Sequence, residues 1–232
     1  YGDHRDLHLS IRRQRQMCIR DRYKAVPGKL PAINARFANH TIGFFEEFNI
    51  GIVGFWNDEI GASNQLTYIL SFDSMADREQ KWAAFGAHKP WQEVRAETEK
   101  DGPLVAQVLN SFMSLTPYSP QPAFKSTLHE KRVYEAMPGK LPDLHNRFSN
   151  HTMGLFEKHG IENVAYWTED VGTSNRLVYM LGYPDLAARE NGWSGFQSDP
   201  DWQKARAASE ENGALVRVSK HSILRLTEYS PR

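Results

Sequence analysis

Two histidines stand in the same local setting. Asn39-His40-Thr41 returns as Asn150-His151-Thr152, and each triplet follows an Arg-Phe pair, Arg36-Phe37 and Arg147-Phe148. An imidazole three residues after a buried aromatic on a helix would lie at the margin of the apolar stripe. There it can act as acid, base or hydrogen-bond donor to a small ligand. His40 and His151 are therefore the catalytic candidates. The bland alternative is a helix-margin histidine bonded to backbone. Trp56 and Trp167, Tyr68 and Tyr179, and Asn64 and Asn175 are the candidate ligand-binding residues. The tyrosines sit mid-strand with a hydroxyl to satisfy, and the asparagines are expected on the same strand face. The tryptophans offer flat apolar surface for an organic ligand, although core packing is their ordinary role.

These candidates emerge because the chain says most things twice. Residues Tyr23–Pro120 align without a gap on Tyr134–Pro231, a constant offset of 111. What both copies keep can be separated from what drifted. A period this long is a duplicated domain rather than a solenoid unit.

Each copy reads as β-α-β-β-α-β, an α+β, ferredoxin-like arrangement. In the second copy Lys131–Met137 is extended and stopped by Pro138-Gly139. A helix follows Pro142, with Leu144, Phe148, Thr152, Leu155 and His159 on one stripe. The first copy offers Ile33, Phe37, Thr41, Phe44 and Phe48. The helix ends at Gly160, matched by Asn49, both tolerant of a left-handed cap. Asn163–Thr168 and Ser174–Tyr183 read as strands, the second apolar on both faces. A further helix is capped by Asp185 or Ser74 and breaks before Asp199-Pro200. Leu215–Glu228 is the final strand. A four-stranded sheet with helices on one face needs cover on the other. Two such repeats can cover each other within one chain as a pseudo-dimeric α/β barrel. The retained Arg36/Arg147, Arg78/Arg189 and Arg95/Arg206 read by default as surface ion pairs, with an anion-binding role open to one of them.

The expected domains are repeat one over 23–120, a linker over 121–130 and repeat two over 131–232. Tyr1–Arg22 has no echo. It carries six Arg and no Lys, and its end, Arg12 to Arg22, resembles translated sequencing-adapter read-through from metagenomic assembly. It is read as a non-native or disordered tail that partly overwrites the first strand.

Composition sets outer limits. The chain has 28 basic and 28 acidic residues, so nothing marks a nucleic-acid partner. No apolar run is long enough for a membrane span. The single cysteine, Cys18, excludes an internal disulfide and points to a reducing, cytoplasmic setting. No P-loop, dinucleotide fingerprint, zinc-protease motif or nucleophile elbow occurs, and no cofactor or metal is called for. The expected partners are a small molecule and, beyond the intramolecular pseudo-dimer, further copies in an oligomer.

Taken together, these pieces resemble the NIPSNAP family. The matching residues are Pro-Gly-Lys-Leu-Pro, the Arg-Phe-x-Asn-His-Thr helix and the strand ends Phe55-Trp56 and Tyr166-Trp167. Trp-x-x-Phe at Trp82–Phe85 and Trp193–Phe196, and the terminal Thr-x-Tyr-Ser-Pro, complete the set. Lys89-Pro90 in place of Asp199-Pro200 departs from it. The resemblance implies a dimeric α/β barrel. Its activity is poorly defined, and eukaryotic members are linked to mitochondria and vesicle traffic through protein contacts. The wider fold group includes cofactor-independent monooxygenases and haem-degrading enzymes. Three readings follow: a small-molecule pocket in each repeat, a monooxygenase-like enzyme, or a non-catalytic interaction module without a ligand-sized pocket.

Overall fold

The computed structural model describes residues 17–231. They divide into two compact units. One holds residues 17–58, 62–115 and 227–231, the other 59–61 and 116–226.

The first unit runs β1 (Met17–Ala25), helix α1 (Leu30–Arg36, Phe37–Thr41 and Ile42–Glu47), β2 (Gly51–Ile60), β3 (Gln65–Phe72), α2 (Met75–Ala87), α3 (Lys89–Thr98) and β4 (Val105–Leu115). The second runs β5 (Leu128–Ala136), α4 (Leu141–Arg147, Phe148–Thr152 and Met153–Lys158), β6 (Glu162–Val171), β7 (Arg176–Tyr183), α5 (Leu186–Ser198), α6 (Pro200–Ser209) and β8 (Val216–Leu226). Within each unit the strands lie in ferredoxin-like order, β4-β1-β3-β2 and β8-β5-β7-β6. The pairings β1 with β3 and β4, and β5 with β7 and β8, are antiparallel. Residues 17–22, read from sequence as the end of an unmatched tail, pair along β1; the remainder of that stretch lies outside the described residues.

The first helix of each unit departs from the expected α-helix. Phe37–Thr41 and Phe148–Thr152 form a π-turn. The N–H of Ile42 donates to the Phe37 carbonyl, and that of Met153 to the Phe148 carbonyl, five residues back. The threonine hydroxyls of Thr41 and Thr152 donate to the Arg36 and Arg147 carbonyls, each at 3.2 Å. A π-turn holds one more residue than an α-turn. The apolar stripe therefore slips by one. Leu144, Phe148 and Thr152 are buried as expected, but Phe156 follows in place of Leu155. In the first unit Phe45 is buried in place of Phe44.

Other local readings hold. Gly160 and Asn49 end these helices with φ of 70° and 51°. The side chains of Ser74 and Asp185 accept the N–H of Asp77 and Ala188 at 3.1 and 2.8 Å, capping α2 and α5. Asp199 caps α6 by accepting the N–H of Asp201 at 2.8 Å. The equivalent cap of α3 is His88, with no side-chain bond, and Lys89-Pro90 opens that helix. Strand β3 is buried along its whole length, as a strand apolar on both faces requires.

The repeats and the compact units differ at their ends. The terminal motif of the second repeat belongs to the first unit. Ser230 Oγ accepts the N–H of Phe55 at 3.0 Å, and the Tyr229 hydroxyl donates to Asn34 Oδ1 at 2.7 Å. The same motif of the first repeat serves the second unit. Ser119 Oγ accepts the N–H of Tyr166 at 2.9 Å, and Tyr118 bonds His145 Nδ1 at 2.7 Å.

The cap residues give a direct test. No atom would touch a Cβ at Gly160, so Gly160→Ala would suffer only the left-handed backbone. Thermal denaturation should show it destabilised by about 1 kcal/mol, with Asn49→Gly neutral or better. Equal loss from both would refute the cap assignment.

Candidate functional site

Each unit has a cavity, open to solvent, between its helices and the helix-covered face of its sheet. The cavity of the second unit is about 590 Å³ and that of the first about 520 Å³. Both fall in the range of small-molecule sites. Their walls correspond residue by residue. Trp193, Phe196 and Trp202 answer Trp82, Phe85 and Trp91; Phe148, Thr152 and Phe156 answer Phe37, Thr41 and Phe45. The last three come from the π-turn and the turn after it, so the extra helical residue is what brings Phe45 and Phe156 to the cavity.

A guanidinium crosses each cavity wall. Arg147, only 5% exposed, donates through Nη1 to Glu210 at 2.8 Å and lies 5.4 Å over the Trp202 ring. Arg36, 4% exposed, does the same to Glu99 at 2.8 Å, 5.6 Å over Trp91. Arg206 and Arg95 support these carboxylates at 3.2 and 3.3 Å. The expectation of surface ion pairs thus fails for Arg36 and Arg147. They are buried, because the helix that carries them packs its arginine against the last turn of α6 or α3. Burial would raise the Glu210 carboxyl, but Arg147 and Arg206 hold it below the usual range.

The candidate residues from sequence fare unequally. Tyr179 lines the second cavity. Tyr68 packs edge-on against Tyr23, which lines the first, with ring centroids 5.2 Å apart. Both tyrosines are 0% exposed, and neither hydroxyl has a hydrogen-bond partner of good geometry. Burial pushes both phenols well above their ordinary range.

His40 and His151 do not face the helix–sheet gap. Both are exposed and line neither cavity; His151 borders a shallow surface depression with Asn150 and Lys140. The inward position of this turn is held by Thr41 and Thr152, as the stripe requires, and the histidines one residue earlier point to solvent. Trp56 and Trp167 are buried but also line neither cavity. Their neighbours Phe55 and Tyr166 join the helix-side core, so alternation puts the tryptophans on the other face of the sheet. Asn64 and Asn175 precede the strand in left-handed backbone, φ 58° and 63°. Their Nδ2 atoms donate to the Ala25 and Ala136 carbonyls at 2.8 and 2.6 Å, so they latch a loop instead of facing the cavity.

The two sites differ at one wall. In the second unit Glu130 is fully buried beneath the cavity. It accepts from Arg132 at 2.6 Å, Arg189 at 3.0 Å and Trp193 Nε1 at 3.0 Å. Burial alone would raise its pKa, yet Arg189 and Arg132 hold it below the ordinary range. The first unit has Ile19 and Asp21 where these residues stand. Burial pushes the Asp21 carboxyl up to about 7, against the pull of Arg78 and Tyr68. Comparison between copies could not reveal Glu130 and Arg132, because they are not shared. Glu99 and Glu210 are shared, and their four-residue spacing from Arg95 and Arg206 was the legible signal. Among the described residues no group of three His, Cys, Asp or Glu is arranged to hold a metal, and no helix is long and apolar enough to cross a membrane.

The chain resembles known proteins at two levels. The family model described as NIPSNAP matches residues 19–120 and 129–231. An uncharacterized NIPSNAP domain protein from Burkholderia xenovorans is 23% identical, over 45% of this chain and 99% of that one, with TM-score 0.41. A putative monooxygenase from Lactobacillus acidophilus matches 91% of this chain and 93% of its own at 10% identity, TM-score 0.61. One from Fusobacterium nucleatum covers 91% and 92% at 10% identity, TM-score 0.59. No curated protein matches the chain. The whole-length likeness shows fold alone: the α+β class of the dimeric α/β barrels, built from ferredoxin-like repeats.

Two measurements test the placement. His40→Ala and His151→Ala should each change stability by less than about 0.5 kcal/mol, as exposed positions do. A drop of several degrees in melting temperature would contradict it. Asp21 has a folded pKa above its unfolded value. Its contribution is present below about pH 4 and is lost as pH rises through about 7. Asp21→Asn should therefore be more stable than the parent chain at pH 8 and indistinguishable from it at pH 4 in urea titrations.

Proposed function

We propose that this chain, which belongs to the NIPSNAP family, binds a flat organic molecule in the helix–sheet cavity of each repeat. One observation carries the reading: both copies keep a cavity of ligand size at the same place, with the same aromatic and arginine walls. Core packing alone has no use for a void, because interiors are close-packed and empty space forfeits dispersion contacts. The aromatic walls favour a planar guest, and the buried arginines and tyrosine hydroxyls supply few polar contacts of fixed position. An interaction module without a ligand-sized pocket fits these cavities poorly.

Oxidation of the bound molecule by oxygen is the second reading. It is favoured by the fold shared with putative monooxygenases and by the buried Tyr179 hydroxyl beside the cavity. Its test is oxygen uptake with a hydroquinone substrate. Uptake that Tyr179→Phe abolishes would support it, and uptake unaffected by that change would count against it.

Binding is tested by titrating the full chain with 2-naphthol and following tryptophan fluorescence and heat. Two sites per chain are expected. Val108 and Ser219 are exposed residues on the rims. Val108→Trp or Ser219→Trp should each leave one site, and the double variant none. Unchanged stoichiometry in the double variant would refute the cavity assignment.

A further inference from the structure

We infer that the cavity of the second unit is built for a monoanionic aromatic acid, with Arg132 as the group that meets its carboxylate. The inference deepens the cavity reading proposed above and rests on it.

Arg132 lines the cavity and is 8% exposed. Its guanidinium lies 4.2 Å from the Trp193 ring centroid and 5.4 Å from that of Tyr134. Glu130 and the Tyr134 hydroxyl each take one of its N–H groups, at 2.6 and 3.1 Å, and Nε has no acceptor. Glu130 cannot neutralise it alone. That carboxylate also receives two N–H groups of Arg189, the Trp193 indole and the Tyr183 hydroxyl. Its lone pairs are fully subscribed.

The opposite wall repeats the imbalance. Arg147 and Arg206 share Glu210, and Arg147 Nε has no acceptor. Arg132, Arg147 and Arg206 thus line the void with a single carboxylate, Glu210, among them, and the two buried guanidinia each keep an Nε without an acceptor. A buried charged donor left without an acceptor is costly unless a guest supplies one. Planar guanidinium and carboxylate are matched in shape, and the bond between them is charge-assisted. Trp193, Trp202 and Phe196 would hold the aromatic body. Glu130 is a positioning residue: it fixes Arg132 against Trp193.

The first unit supplies an internal contrast. It keeps the aromatic walls but has Asp21 and Ile19 in place of Arg132 and Glu130. An anion should therefore prefer the second cavity.

The experiment uses the full chain carrying Val108→Trp, which leaves only the second cavity open. 2-Naphthoate and its neutral near-isostere 2-naphthamide are compared by calorimetric titration. Naphthoate should bind at least about tenfold tighter, the scale of one charged hydrogen bond. Arg132→Met should bring the two within about twofold of each other. Naphthamide binding as tightly as naphthoate would overturn the inference and leave the cavity reading standing. So would a naphthoate preference that survives Arg132→Met. Binding of neither compound to a natively folded chain would overturn the cavity reading itself. The comparison in the chain that retains Arg132 is decisive even if Arg132→Met does not fold.

Discussion

One extra residue in a helix sets the geometry of both halves of this protein. The π-turns at Phe37–Thr41 and Phe148–Thr152 interrupt a helix whose residues on both sides must pack on the same sheet. Holding one more residue per turn rotates everything after it. Phe45 and Phe156 reach the core in that rotated phase. The segment is stabilised locally by the threonine hydroxyls, which donate to the carbonyls of Arg36 and Arg147. Those arginines in turn bind the last helical region through Glu99 and Glu210. Helix phase, cavity wall and ion pair are thus one connected feature, and π-turns of this kind recur where a site must be shaped.

The cavities persist because their aromatic walls are too rigid to collapse. Stacked or tilted rings run from Phe156 through Phe196 to Trp202, with centroids 4.7 and 4.4 Å apart. Aromatic side chains have few torsions and hold their shape. The buried guanidinia lean on the same rings, so loss of one arginine would disturb both charge and packing. The second unit adds the Glu130 cluster to this plan, while the first carries a buried acid, Asp21, beside Arg78 and Tyr68. The two cavities therefore differ at one wall, where the second has Arg132 and the first has no matching cation.

Much of the fold was legible because it rests on local rules. The duplication exposed the element order, and Gly160 against Asn49 marked the same left-handed cap by two residue types that tolerate it. Asp185 and Ser74 marked a helix start in the same way. The site was less legible. Tyr179 was placed at the helix–sheet gap by strand alternation, which is a short-range property. Trp56 and Trp167 took the core role that was their ordinary reading, since their aromatic neighbours Phe55 and Tyr166 hold the helix side. The histidines, read at the margin of the stripe, lie on its solvent side, a distinction that a helical wheel does not resolve.

By itself, then, the sequence determined that the chain holds two β-α-β-β-α-β copies, where their helices begin and end, and which residues both copies retain. These follow from backbone preference and from comparison of like with like. Tertiary structure alone decided the phase of the first helix, the burial of Arg36 and Arg147, and the gathering of Glu130, Arg132, Arg189 and Trp193. Each depends on neighbours far apart in the chain: 59 residues separate Arg189 from Glu130, and 63 separate Glu210 from Arg147. It also decided that each Tyr-Ser-Pro terminus packs in the unit of the opposite repeat. No periodicity within one repeat encodes that choice, because the bonding partners lie in the other copy.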